Sequence, residues 1–249
     1  MRQYLFVKRN EVLLVLGVSL GQSGVYAVVN LIAKLTAPVR LNEQATQLNP
    51  SLSPRPWLDL TYQLLSIFFS WVPALLALYL LNRDPGDARG LLGMDRWRWR
   101  SDFGGGIALA ALIGIPGLGL YFLAKALNLN TIVVASGLAS HWWTIPILIL
   151  AAVQNAFLEE VVVVGYLMTR LREMSWTVPA TIAASALIRG SYHLYQGFGA
   201  FVGNAIMGVV FALVFLRWKR VYPLIWAHTI LDIVAFVGYA LLAPHLRWL

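Results

Sequence analysis

The sequence predicts an all-α fold: one integral-membrane domain over residues 1–249, built as a polytopic bundle of about seven transmembrane helices, with eight as the alternative count. Three observations predict it. Of 249 residues, 59% are hydrophobic and only 12% charged, outside the range of soluble and disordered chains alike. Apolar runs recur at lengths that cross a ~30 Å hydrocarbon core at ~1.5 Å per residue. Lys and Arg gather in short clusters between those runs, as they do where loops meet anionic headgroups. The net charge of +8 is therefore topological, and nucleic acid is not an expected partner. The chain has no cysteine, which removes disulfides, thiolate metal ligands and a cysteine nucleophile.

Arg2, Lys8 and Arg9 precede an apolar segment from Val12 to about Leu35, longer than a signal-peptide core and without a clear cleavage site, so it reads as the first span. Thr36 to Leu58 is polar and carries Pro38, Pro50, Pro54 and Pro56, which makes it a loop. A second span follows from Leu60 to Leu81. Between Asn82 and Asp102 lie Arg83, Arg89, Arg96, Arg98 and Arg100, interleaved with Trp97 and Trp99, the pattern of a segment lying at headgroup level. The third span, Phe103 to about Leu127, holds Gly104, Gly105, Gly106, Gly114, Gly117 and Gly119, which permit close helix approach or kinking. Asn128 to Ser140 is too short to cross and reads as a loop or re-entrant piece. Four further spans run from about Trp142 to Arg172, Trp176 to Tyr195, Ala200 to Leu216 and Val221 to Leu242.

With these spans the basic residues alternate. Arg2, Lys8, Arg9, the five arginines of the 82–102 loop, Arg170, Arg172, Arg217, Lys219 and Arg220 fall on one side, against Lys34, Arg40, Arg55, Lys125 and Arg247 on the other. The excess marks the cytoplasmic face, which places the N-terminus inside and the C-terminus outside. No internal repeat or separate soluble domain is visible.

The sharpest feature is Glu159-Glu160 within the otherwise apolar stretch from Gln154 to Arg172. A charged side chain at bilayer depth costs roughly 2.5 to 3.5 kcal/mol, so such residues face a protein interior or a water cavity and mark function. Of 11 acidic residues, only Glu159, Glu160 and Asp232 fall inside the spans, together with Arg189, His193 and His228. Arg189 and His193 are four apart, as are His228 and Asp232, so each pair shares a helix face and three helices supply one polar centre. A buried carboxylate beside an imidazole can deprotonate a water and return the proton to a leaving amine. His228, oriented by Asp232, could donate the hydrogen bond that a tetrahedral oxyanion needs. Glu159, His193 and His228 with a water would equally make a zinc site, although no H-E-x-x-H motif supports one, and the metal question stays open. A proton-coupled transporter is the competing class, since buried Glu, His and Arg also build proton relays; a catalytically inactive binding protein is the third.

In order and depth these residues resemble the CAAX protease and bacteriocin-processing family of intramembrane endopeptidases, also called the ABI family. Its usual motifs are E-E-x-x-x-R-G-x-L, F-x-x-x-H and H-x-x-x-N or a similar residue, and the resemblance covers about residues 140–245. It implies that Glu159 and His193 activate the water, that Glu160 supports them, and that His228 with Asp232 forms the oxyanion site. It further implies a peptide or membrane-protein substrate, membrane lipids as surroundings, and a bacterial plasma membrane as location. Two departures stand out: Val164 occupies the arginine position, and Arg189 occupies the phenylalanine position four residues before His193. The guanidinium has therefore moved helices, and Arg189 is expected to neutralise Glu160 from the fifth span. Asp232 stands where an amide is usual.

Overall fold

The computed structural model describes residues 2–96 and 98–245, so Trp97 and Arg247 lie outside the described residues. Helix α1 (Arg2–Gly17) and α2 (Leu20–Leu35) together form the first passage. They are bent by 53°, so the span expected from Val12 is a broken one that starts ten residues earlier. Gly17 and Ser19 lie at the break, where the Ser19 hydroxyl donates to the Val15 carbonyl and so occupies an acceptor near the interruption. Helices α3 (Pro56–Ser70) and α4 (Val72–Arg83) form the second passage, each with proline in its first turn, where a missing N–H costs nothing. A four-residue helix, α5 (Ala88–Leu91), interrupts the basic loop, with the Asp87 carboxylate accepting from the Gly90 N–H at its start.

Helix α6 (Trp99–Ala126) is 28 residues long and packs along α11 (Tyr222–Leu242). The glycines expected to allow close approach divide into two sets. A Cβ on Gly105, Gly106 or Gly114 would meet Trp218, Trp226 or Leu231 within 3.0 Å, whereas Gly104, Gly117 and Gly119 face open space. Helix α7 (Thr144–Glu159) continues through a π-helical segment, Glu160–Tyr166, into α8 (Leu167–Glu173). Then follow α9 (Val178–Ser191), capped by the Thr177 hydroxyl, and α10 (Phe198–Trp218).

Contacts sort the loops into two ends. At one, Lys8 Nζ lies 2.8 Å from Asp84 and 3.2 Å from Glu173, Arg83 pairs with Glu11, and Arg220 binds Asp102 through two hydrogen bonds of 2.8 and 2.6 Å. At the other, two strands, β1 (Ala45–Gln47) and β2 (Ile132–Val134), pair in parallel with Ala45 opposite Ile132. The Gln196 carbonyl accepts from the Thr131 N–H beside them at 2.9 Å. Residues 128–140 are thus extended chain tied to the 36–58 loop; the strand pairing, invisible in three-residue stretches, decides against a re-entrant helix.

Between these ends the described chain passes seven times, counting α1–α2, α3–α4 and α7–α8 as one passage each. Five helices are long and apolar enough to cross a membrane, six with the bent α1–α2 pair. The remaining passage is α9, whose 14 residues give only ~21 Å. Large apolar side chains cover the outside, Leu112, Ile115 and Leu118 of α6 among them, as lipid contact requires. A tag at the N-terminus and another within residues 82–102 should report the cytoplasm and a C-terminal tag the opposite side; reporters placing both termini together would remove one passage, α9 first.

The Lys8 ammonium hydrogen-bonds Asp84 and holds its carboxyl below the usual carboxylate range. A depressed folded value means that the pair stabilises the protein above the unfolded carboxyl's pKa, about 3.9, and that this contribution disappears as pH falls through the lower folded value. Melting temperatures in detergent should therefore fall below about pH 4, and Asp84→Asn should flatten part of that fall. An identical acid profile in the variant would show that Asp84 does not contribute.

Candidate active site

The segment that carries the carboxylates departs from α-helical winding where they sit. Val161 to Val164 are four β-branched residues, whose stiff side chains crowd a tight turn, and the chain takes up i→i+5 winding from Glu160 to Tyr166. The irregular segment keeps its carbonyls satisfied: the Ser185 hydroxyl of α9 donates to the Val163 carbonyl at 3.0 Å, and Thr169 donates to that of Gly165 at 2.6 Å. The wider winding narrows the angle between successive side chains at the junction, and Glu159 and Glu160 turn towards the same neighbours.

Those neighbours are α9 and α11. Arg189, completely buried, donates through Nη2 to both oxygens of Glu160 at 2.8 and 2.7 Å and through Nη1 to Glu159 Oε2 at 3.1 Å. The guanidinium expected to reach Glu160 thus bridges both carboxylates, and the ring of Phe211 lies 5.3 Å beneath it. Val164, at the position where the resemblance expects arginine, is fully buried among apolar side chains of the core. Small residues allow α9 to come this close to α10: a Cβ on Gly208 would lie 2.9 Å from the Ala186 Cα, and one on Gly190 2.9 Å from the Phe201 carbonyl.

From α11, His228 places Nδ1 2.7 Å from Glu160 Oε1. Its Nε2 lies 3.7 Å from Asp232, beyond a direct hydrogen bond, so Glu160 rather than Asp232 orients this imidazole. His193 lies past the end of α9, in the turn before α10, with Nδ1 3.0 Å from the Arg189 carbonyl. A carbonyl can only accept, so Nδ1 carries the proton and Nε2 is left as the basic nitrogen. Of the six residues singled out from the sequence, Glu159, Glu160, Arg189 and His228 are joined directly, His193 through the Arg189 backbone, and Asp232 stands at the margin.

Two participants escaped the sequence reading. Tyr192 donates its hydroxyl to Glu159 Oε2 at 2.6 Å; its position between Arg189 and His193 is the only hint that the sequence offers. Asn155, one turn before Glu159, interacts with Asp232, and that i−4 spacing could have indicated it.

Glu159, Glu160 and His228 each offer a ligand atom within 4.8 Å of the others and could hold a metal ion. This set differs from the one expected, because His193 is not in it. Arg189 already donates to both oxygens of Glu160 and to one of Glu159, so a metal bound there would share these carboxylates with a buried guanidinium.

Residues 141–234 match the family model described as Rce1-like: type II CAAX prenyl endopeptidase Rce1-like, which is the family that the motifs resemble. Comparison with curated proteins and with solved structures gives no match. The matched segment holds every residue of the centre.

Arg189→Leu should destabilise the protein by about 3 to 5 kcal/mol, because it leaves two adjacent carboxylates buried without their cation. Thermal unfolding in detergent checks this, and a wild-type midpoint would mean that the carboxylates are balanced otherwise.

Proposed function

We propose that this chain is an intramembrane endopeptidase that hydrolyses peptide bonds of membrane-associated or peptide substrates by a glutamate-dependent route. One observation carries the reading: a Glu-Glu pair, bridged by one buried arginine, lies beside a histidine whose Nε2 is free to take a proton. The family match over the same residues supports a CAAX-type protease.

Tyr192 and Arg189 both bind Glu159 Oε2, and Oε1 is assigned to the substrate water. Glu159 and His193 polarise that water and take its proton as it attacks the scissile carbonyl. The proton then passes to the leaving amine. Carrying both its protons, His228 donates Nδ1–H to Glu160 and turns Nε2–H to the oxyanion, with Asp232 close enough to compensate its charge. Arg189 holds Glu159 in position and offsets the charge of the pair. With Glu160 and Arg189 fully buried, each of these interactions is stronger than in solution.

Transport by the same groups would need no peptide-bond cleavage, which makes cleavage the decisive measurement. Purified protein should cleave members of a peptide library, and Glu159→Gln and His193→Ala should each lower turnover by about 10² to 10⁴-fold while leaving the protein folded in detergent. Wild-type turnover in either variant would remove that residue from the mechanism. Activity should survive a chelator; loss on chelation with recovery on adding zinc would instead assign Glu159, Glu160 and His228 to a metal.

A further inference from the structure

Helix α2 has three faces. Leu20, Gly24, Ala27 and Leu31 are buried against the bundle, and Val25, Val28, Val29 and Ile32 are exposed and apolar, as a lipid-facing surface is. Between them runs a polar stripe, Gln22, Tyr26 and Asn30 at four-residue spacing with Ser23 beside them. Side-chain amides on a membrane helix are costly against lipid and belong on a cavity. These four are exposed and line an open pocket of about 350 Å³, and Tyr192 and Tyr195 complete its lining. That volume is in the range of small-ligand sites, and at ~30 Å³ per molecule it exceeds what one or two ordered waters need.

The cavity adjoins the catalytic centre through one side chain. The ring of Tyr192 lines it while the hydroxyl of the same residue holds Glu159. The two walls are tied together beyond it, because Lys34, one turn after Asn30, donates to the Tyr195 carbonyl at 2.6 Å and to the Thr46 hydroxyl. The polar stripe retains unused hydrogen-bonding capacity. Asn30 spends one N–H on the Tyr26 carbonyl, and among the described residues the Gln22 amide makes no hydrogen bond.

A peptide bond can be attacked only when its carbonyl is accessible, so a substrate segment must leave its helix near the scissile bond and expose unpaired N–H and C=O groups at bilayer depth. Side-chain amides offer both a donor and an acceptor, the complement of a peptide group. Building on the endopeptidase reading, we infer that the cavity between α2 and the Tyr192–Tyr195 turn is the docking subsite for the extended substrate backbone flanking the scissile bond, with Gln22 and Asn30 pairing its peptide groups. The recognition is of backbone, independent of substrate side chains.

Binding can be separated from turnover by using Glu159→Gln protein in detergent and two dansyl-labelled decapeptides of alternating alanine and leucine, one with an ordinary and one with an N-methylated backbone. Anisotropy should show tighter binding of the ordinary peptide. Adding Gln22→Leu with Asn30→Leu should weaken it by about ten-fold, the loss of two net hydrogen bonds, and bring it to the level of the methylated one. The exchange Gln22→Asn with Asn30→Gln keeps two amides and should hold affinity within about three-fold, which separates lost recognition from lost folding. Unchanged affinity in the leucine variant, or equal affinity for both peptides, overturns the inference and leaves the cavity as a path for water. Absence of cleavage by the wild-type protein would refute the endopeptidase reading without touching this binding result.

Discussion

The guanidinium of Arg189 between Glu159 and Glu160 is the interaction on which the rest of the structure depends. Two neighbouring carboxylates cannot stay buried without a cation, and here one guanidinium bridges both. To deliver it, α9 must lie against both the π-helical segment and α10. Ser185 secures the first contact by satisfying the Val163 carbonyl, and Ala186, Gly190 and Gly208 permit the second. The same short helix places Tyr192 and His193 as it ends. The helix least able to cross a membrane by length is therefore the one that assembles the centre, held by ion pairs and close packing where its length supplies little.

Much of this was legible in the sequence because bilayer depth makes charge conspicuous. Long apolar runs announced the large helices, and the few ionisable residues inside them marked the centre. The pairing of Arg189 with Glu160 could also be read, since a pair of buried glutamates requires a cation from somewhere. What failed to show has equally physical causes. The first helix begins among charged residues whose partners, Asp84 and Glu173, are distant in sequence, so hydropathy placed its start too late. Strands of three residues take their register from tertiary contact and carry no periodic signal of their own. His193 lies beyond the helix that its spacing suggests, because a four-residue spacing looks the same whether the helix continues or has just ended. Tyr192 has an ordinary aromatic composition for a membrane protein, and only its hydroxyl's position against Glu159 distinguishes it.

Charge is thus concentrated in two places of unlike character. The centre is inward and gathers Glu159, Glu160 and Asp232 around Arg189 and His228. The outer cluster of Lys8, Glu11, Arg83, Asp84, Arg170 and Glu173 is balanced, and it joins α1, α4 and α8 where the basic loops emerge. Arg170 belongs to the latter although it is fully buried: it donates to the Leu80 and Asp84 carbonyls at 2.8 and 2.7 Å and pairs with Glu173. One continuous passage from Thr144 to Glu173 therefore serves both networks.

That sharing turns the π-helical segment into a phase adjuster. Relative to an α-helix it accommodates one additional residue per widened turn, and one residue corresponds to about 100° of rotation. Glu159 and Arg170 address different partners because that rotation is stored between them. Deleting a single valine from Val161–Val164 would keep the run apolar and helical while turning one network out of alignment with the other. Insertions or deletions in this stretch would be felt at both ends of the helix at once.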